Sequence, residues 1–239
     1  TAALAIWFGA VDAPMHGKRG RPAVLAQFRG TLEIFSSYRF WKLGLFPGLA
    51  TGVFYAVQSL WVKPFLLDVN LLALAPTDIL VSVLGLATVI GSVGSGILAR
   101  WLERVGMNLY VFVGLSEVLF VLVQLLIVFD APIAKSILWS AYGFFGALSI
   151  LIYIVLANNF PKNMLGRLNT SFTMLLFLFI FFFQIGIGWI VNWWQPLSPG
   201  VYPAQAHIVA WSIAIGLQIL SGVWYFWPDK TGRDQPEAA

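Results

Sequence analysis

Between Phe40 and Trp227 the chain passes through six stretches of about 20 or more residues that are almost free of charge, each long enough to cross a bilayer core. In hydrocarbon every backbone N–H and C=O must be paired within the protein, so only helices and closed barrels can span. Unbroken apolar runs such as Leu175 to Phe183 exclude barrel strands, which alternate apolar and polar positions. The stretches therefore read as helices over Phe40 to Leu67, Asp78 to Trp101, Leu109 to Phe129, Ser136 to Asn158, Asn169 to Trp194 and His207 to Trp227. Of 239 residues 59% are hydrophobic and 10% charged. That leaves too little polar surface to coat a soluble globule, and lipid must supply the coat.

The cations give an orientation. Twelve of the fourteen Lys and Arg fall before the first stretch, near its start, in the second and fourth connections or in the tail: Lys18, Arg19, Arg21, Arg29, Arg39, Lys42, Arg100, Arg104, Lys162, Arg167, Lys230 and Arg233. Only Lys63 and Lys135 fall on the other side. The positive-inside rule makes the first side cytoplasmic, and the tail with it. The net charge of +4 is then largely an orientation signal rather than a nucleic-acid footprint. Trp101, Trp139, Trp193, Trp194, Trp224 and Trp227 lie near span ends, where interfacial anchors are expected.

Residues 1–11 are apolar but too short to span, with no basic n-region or cleavage site. They read as the end of a truncated transmembrane helix. Residues 12–39 read as a cytoplasmic basic central loop, 40–227 as a six-helix transmembrane bundle and 228–239 as a polar cytoplasmic tail. Within the loop Leu25, Phe28, Leu32 and Ile34 or Phe35 recur at helical spacing, which fits an interfacial helix or a solvated linker.

Small residues mark where helix backbones can approach. Gly44, Gly48 and Gly52 recur every four residues in the first span, and Gly91 with Ser95 and Ser92 with Gly96 do so in the second. Such stripes serve as sliding surfaces or as static seams. Pro47 and Pro64 permit bends in the first span.

Polar side chains in apolar spans are the candidates for function. Tyr55, Gln58 and Trp61 sit on the first span, Tyr142, Ser149 and Tyr153 on the fourth, and Thr173 and Gln184 on the fifth. They offer hydroxyls, amides and aromatic faces but no fixed charge, which fits a neutral, amphipathic or weakly charged small solute. Each also fits interhelical hydrogen bonding or anchoring. Glu117 is the acid standing clear of the span ends. An ionised carboxylate there costs at least about 2.5 kcal/mol, so it must be protonated, paired or facing water. Tyr110, Glu117 and Gln124 recur every seven residues and share one side of their helix. Proton coupling or a structural hydrogen bond would each explain Glu117.

Catalysis finds little support. The chain has no Cys, and its two His, His16 and His207, lie in a loop and near a span end, with no paired acids at depth. No cofactor or metal is implied. A channel or a non-transporting membrane scaffold remains the alternative to a carrier, although carbonyl-filter motifs and charged rings are absent.

The sharpest local signature follows the second span: Ala99, Arg100, Trp101, Leu102, Glu103, Arg104, Val105, Gly106. It resembles the loop motif of the major facilitator superfamily, in which Gly, three residues, Asp, Arg, one residue and Gly precede two basic residues. Here Ala99 replaces the first Gly, Glu103 replaces Asp, and Met107 and Asn108 stand where the basic pair would be, as in C-terminal copies of the motif. The run Phe54 to Trp61 followed by Pro64 and Asp68 looks like the seventh helix of many bacterial members. Asn159, Phe160, Pro161 and then Gly166, Arg167, Leu168, Asn169 look like the connection between their tenth and eleventh helices.

The resemblance covers Thr1 to Trp227. It implies an all-α, polytopic C-terminal six-helix half of a permease, a symporter or antiporter of a bacterial inner membrane working by alternating access. The missing N-terminal half, or a second copy, would complete the pathway. It also implies that the first, fourth and fifth spans line that pathway while the third, with Glu117, lies at its periphery. In such a cycle Glu103 and Arg104, with Gly106, would form a conformational latch, the carboxylate accepting hydrogen bonds at a helix N-terminus. An exposed solvated turn is the plainer reading of the same residues.

Overall fold

The computed structural model describes residues 24–228, with the side chains of residues 24–29 and Glu103 outside the description. The expected helix end over 1–11, His16 and the tail beyond Pro228 also lie outside the described residues. Helix α1 (Val24–Phe35) precedes six long helices: α2 (Tyr38–Asp68), α3 (Leu74–Arg104), α4 (Leu109–Val128), α5 (Lys135–Asn158), α6 (Leu165–Val191) and α7 (Ala204–Phe226). No β-strand occurs among the described residues. All six long helices are apolar and long enough to span, and the protein is an all-α integral membrane protein.

Side-chain bonds show the alternation of the spans. Lys42, at the start of α2, donates to the Trp224 and Trp227 carbonyls at the end of α7, while Arg39 donates to the Asn159 carbonyl just past the end of α5. At the opposite end Asp68 of α2 meets His207 in the first turn of α7. Arg39, Lys42, Arg100, Arg104, Lys162 and Arg167 therefore share one side, called the basic side below. Lys63 and Lys135 lie on the other, paired with Asp78 and Asp130. Lys42 also lies over the Trp224 ring at 5.5 Å. A cation suits that place, because the last carbonyls of α7 have no intrahelical partners.

The part of the loop read as an interfacial helix or a solvated linker is helical, as α1, and it is docked. Ile34 is fully buried, Arg167 of α6 lies against Gly30, the Trp41 indole donates to the Phe35 carbonyl, and Leu32 stays exposed. The turn after α3 shows why Gly suits position 106. Its φ of +70° is left-handed, and the Met107 N–H caps the Leu102 carbonyl. Asn108 then caps α4 through its side chain, at 2.9 Å from the Tyr110 nitrogen.

Two apolar clusters form the interior. The one on the basic side gathers Ile34, Phe40, Leu102, Val113, Leu156 and Phe172. The larger cluster is aromatic: Phe54 and Phe120 pack on Tyr142, which packs on Trp139, and Phe65 lies 4.4 Å from Trp211 between ring centroids. Trp139 corrects the anchor expectation. It sits only one turn inside α5, yet its ring turns inward against Phe65 and Trp211 rather than outward to headgroups.

The glycine stripes are packing seams. Gly44, Gly48 and Gly52 face Phe172, Phe179 and Phe183 of α6, and Gly91 of α3 faces the Phe144 carbonyl of α5 at 2.7 Å from where a Cβ would stand. Gly143 and Gly146 of α5 return the approach, receiving the Leu84 carbonyl and the Phe54 ring. Gly96 faces open space. Coverage is uneven around the bundle. In the most apolar window of α3 only 22% of residues are buried, and in that of α6 only 28%, against 50% to 67% in α2, α4, α5 and α7. Helices α3 and α6 therefore expose the largest share of their apolar windows.

Candidate functional site

Helix α2 is irregular where its polar residues cluster. Residues Val57–Trp61 form a π-helical segment, and the Val62 N–H reaches back to the Val57 carbonyl. Pro64 accounts for it. Proline has no N–H for the Leu60 carbonyl and its ring crowds that oxygen, so the turn before it widens. The widened turn puts Ser59 and Trp61 against α6. Gln184 donates through Nε2 to Ser59 Oγ at 3.0 Å, and Trp61 donates through Nε1 to the Gln184 carbonyl at 3.2 Å. Gln58 turns the other way, toward Thr88 Oγ1 of α3 at 3.3 Å.

Helix α5 has its own break. A 3₁₀ turn over Ser149–Leu151 follows Gly146, and beyond it the Tyr153 hydroxyl meets Thr173 Oγ1 of α6 at 2.7 Å. Between these two irregular helices and their neighbours lies a cavity of ≈ 350 Å³, with Thr51, Tyr55, Ser92, Ser149, Tyr153 and Thr173 supplying its polar groups. Ala147, Ile150, Ile152, Leu176, Phe177 and Ile180 supply the apolar wall. A second, open concavity of ≈ 830 Å³ runs along α6 from Asn169 to Gln184 and shares Thr173, Phe177 and Ile180 with the first. Neither lining contains an acid, Lys, Arg or His. By helix rise Tyr55 stands within a few ångströms of the middle of α2.

Of the eight residues read from the sequence, Tyr55, Ser149, Tyr153 and Thr173 line the smaller cavity and Gln184 lines the larger, open one. Gln58 and Trp61 flank them in the π segment. Tyr142 lies elsewhere. It is fully buried in the aromatic core, its hydroxyl 3.5 Å from the Val53 carbonyl. Thr51, Ser59 and Ser92 are additions; Thr51 and Ser59 stand four residues either side of Tyr55, and that helical spacing was the available signal.

Glu117 is also apart from the cavity. The heptad stripe of α4 faces α7: Tyr110 stacks on Tyr225 at 4.3 Å, and Gln124 and Gln218 exchange hydrogen bonds at 2.9 and 3.0 Å. Glu117 stands between those two contacts, fully buried, with both carboxyl oxygens unpartnered. On the basic side Arg104 is exposed and Gly106 forms the turn, so the residues of the expected latch are well separated from the cavity.

A pair that sequence reading did not join occupies the other end. His207 Nε2 lies 2.9 Å from Asp68 Oδ2, and the Tyr202 backbone N–H donates to the same oxygen at 3.1 Å. The two residues are 139 positions apart. A His and an acid at the same-side ends of the first and last spans were the only hint.

No protein-family model matches the chain, and no curated protein is similar to it.

Proposed function

We propose that this protein is one six-helix half of an alternating-access secondary transporter of the major facilitator type, moving a small neutral or amphipathic solute. The observation that carries this reading is the ≈ 350 Å³ cavity, placed among four spans and lined by hydroxyls and apolar groups with no fixed charge. A charged lining would fit an ion path and a dry, filled core would fit a scaffold. The two irregular helix segments beside the cavity support the same reading, because π turns and mid-helix 3₁₀ turns recur at functional sites and hinges. The open faces of α3 and α6 leave room for a complementary half or a second copy. Orientation with the basic side in the cytoplasm follows from the cation asymmetry, and an inner membrane from the bacterial character of the resemblance. Glu103 and Arg104 belong to a latch on that side.

The test is uptake by cells overproducing the protein, screened against radiolabelled neutral solutes. Saturable accumulation that collapses when ion gradients are dissipated is expected, and Tyr55→Ala and Gln184→Ala should each reduce it by about tenfold or more. Non-saturating flux that follows the solute gradient would replace the carrier reading with a channel, and no flux for any solute from a protein shown by cross-linking to be assembled with its complementary half or second copy would replace it with a scaffold.

A further inference from the structure

Gln184 is held to α2 from two directions. Its backbone carbonyl accepts from the Trp61 indole at 3.2 Å, and Gly188 makes room for that ring, since a Cβ there would stand 3.1 Å from it. Its side-chain nitrogen reaches Ser59 Oγ at 3.0 Å. Helix α6 is thus pinned to the π turn through both the backbone and the side chain of one residue.

The Ser59 proton decides which end of the amide faces α2. A serine hydroxyl carries one proton, and that of Ser59 points back along its own helix, to the Tyr55 carbonyl at 2.6 Å with the Ala56 carbonyl at 3.3 Å. Toward Gln184 this hydroxyl can then only accept, so Nε2 is the end that meets it. Oε1 is left with no donor among the described residues, and it is not sealed in. Gln184 lies at one end of the open ≈ 830 Å³ concavity, which joins the smaller cavity at Thr173, Phe177 and Ile180. A hydroxyl in that lining, such as Thr173, can turn its proton to suit either kind of partner. An amide oxygen held in place accepts and never donates.

We infer that Gln184 Oε1 is a fixed hydrogen-bond acceptor that selects solutes carrying an O–H or N–H, with Ser59 as its positioning residue. The class of ligand is a neutral amphiphile whose polar end donates to Oε1 while its apolar body lies along Met174, Phe177 and Phe181. An ether of the same shape sets one acceptor against another and is disfavoured, because a site built to pair a donor discriminates against an analogue without one. The use of this selection in transport rests on the carrier reading above, whereas the acceptor and its test do not.

The test uses the full chain in nanodiscs and reversible disulfide capture. Phe177→Cys places a thiol on the same concavity, about 10 Å along α6 from Gln184 by helix rise, in a chain with no other Cys. It is equilibrated in a thiol redox buffer with the disulfides of para-hydroxyphenethyl thiol and of its para-methoxy counterpart, and retention is read by intact-protein mass spectrometry. The fragment ring takes the place of the Phe177 ring, and the two fragments differ in whether their oxygen can donate. Each ratio is taken against Gln184→Leu, which removes the acceptor, so that differences in size and membrane partitioning cancel. The hydroxyl fragment should be favoured by about two- to tenfold, the range of one neutral hydrogen bond. In Ser59→Ala the amide is free to turn and the preference should fall toward unity, whereas Ser59→Thr, which keeps the hydroxyl, should retain it. A purely structural Ser59 would change total capture and leave the ratio alone. Equal retention of the two fragments in the parent would overturn the acceptor, and a ratio unchanged in Ser59→Ala would overturn the role of Ser59. Failure of the uptake assay strikes the carrier reading instead and leaves this ratio untouched.

Discussion

At the scale of single residues the membrane spans contain polar groups of two kinds, and hydrogen bonding separates them. Gln124 and Gln218 satisfy each other, Tyr110 and Tyr225 donate to each other's backbone carbonyls, and Lys42 caps α7. These hold helices together. Glu117 lies on the same α4–α7 seam, without a partner and without access to water. An ionised carboxylate at that depth costs at least about 2.5 kcal/mol, so the neutral acid is the species that fits. Glu117→Gln preserves shape and neutrality and should leave both thermal stability and uptake near the parent level. Glu117→Ala opens a cavity in a packed seam and should destabilise by roughly 1–3 kcal/mol. Thermal unfolding in detergent checks the first half of that statement and uptake the second. Loss of uptake in Glu117→Gln with unchanged stability would assign Glu117 to proton coupling after all. The stripe itself was legible, because a seven-residue repeat on a helix fixes one face. Its partners were not, since Gln218 and Tyr225 lie 94 and 115 positions away.

At the scale of elements the spans were legible to within a few residues because hydropathy sets them and lipid leaves no other option. Helices α3 and α6 depart most: α3 runs from Leu74 to Arg104 where Asp78 to Trp101 was expected, and α6 begins at Leu165 and ends at Val191, each a few residues before the expected Asn169 and Trp194. Local irregularities were legible only in part. Pro64 signalled a bend, but its outcome is a π segment upstream that turns Ser59 and Trp61 toward α6, while α2 continues as a helix through Pro47. A widened turn depends on which neighbour accepts the displaced side chains, and that is tertiary information. Pro64→Ala restores an N–H for the Leu60 carbonyl and should let the ordinary α register return. Interior proline costs about 3 kcal/mol in a regular helix, of which the π segment relieves a part. The substitution is therefore expected to raise the melting temperature by a few degrees while lowering uptake, as the Ser59–Gln184 bridge loses register. A lower melting temperature would mean that the π segment has a cause other than Pro64.

At the scale of the whole molecule, exposure alone does not say what covers a face, because lipid and water both count as open space. The chemistry of the faces differs, however. On α7 the exposed positions from Ile213 to Phe226 are apolar, Leu220 and Val223 among them. Around Tyr55 the exposed surface instead mixes Ser59, Ser92 and the Tyr hydroxyl with aromatic rings, beside a cavity. A lipid-facing surface has no use for those hydroxyls, and a water-filled pathway does. Tyr55 and Val223 make the comparison sharp, being 44% and 57% exposed. If exposure alone governed reactivity, Val223→Cys would label faster than Tyr55→Cys. If the α2, α3, α5 and α6 face borders a pathway, a hydrophilic thiol reagent applied to the protein in a bilayer should modify Tyr55→Cys readily and Val223→Cys slowly, the reverse of their exposures. The cysteine-free chain makes each variant a single-site reporter. Protection of Tyr55→Cys together with Val223→Cys would mean that this face is sealed, against lipid or against another protein surface, and that no aqueous path reaches the cavity.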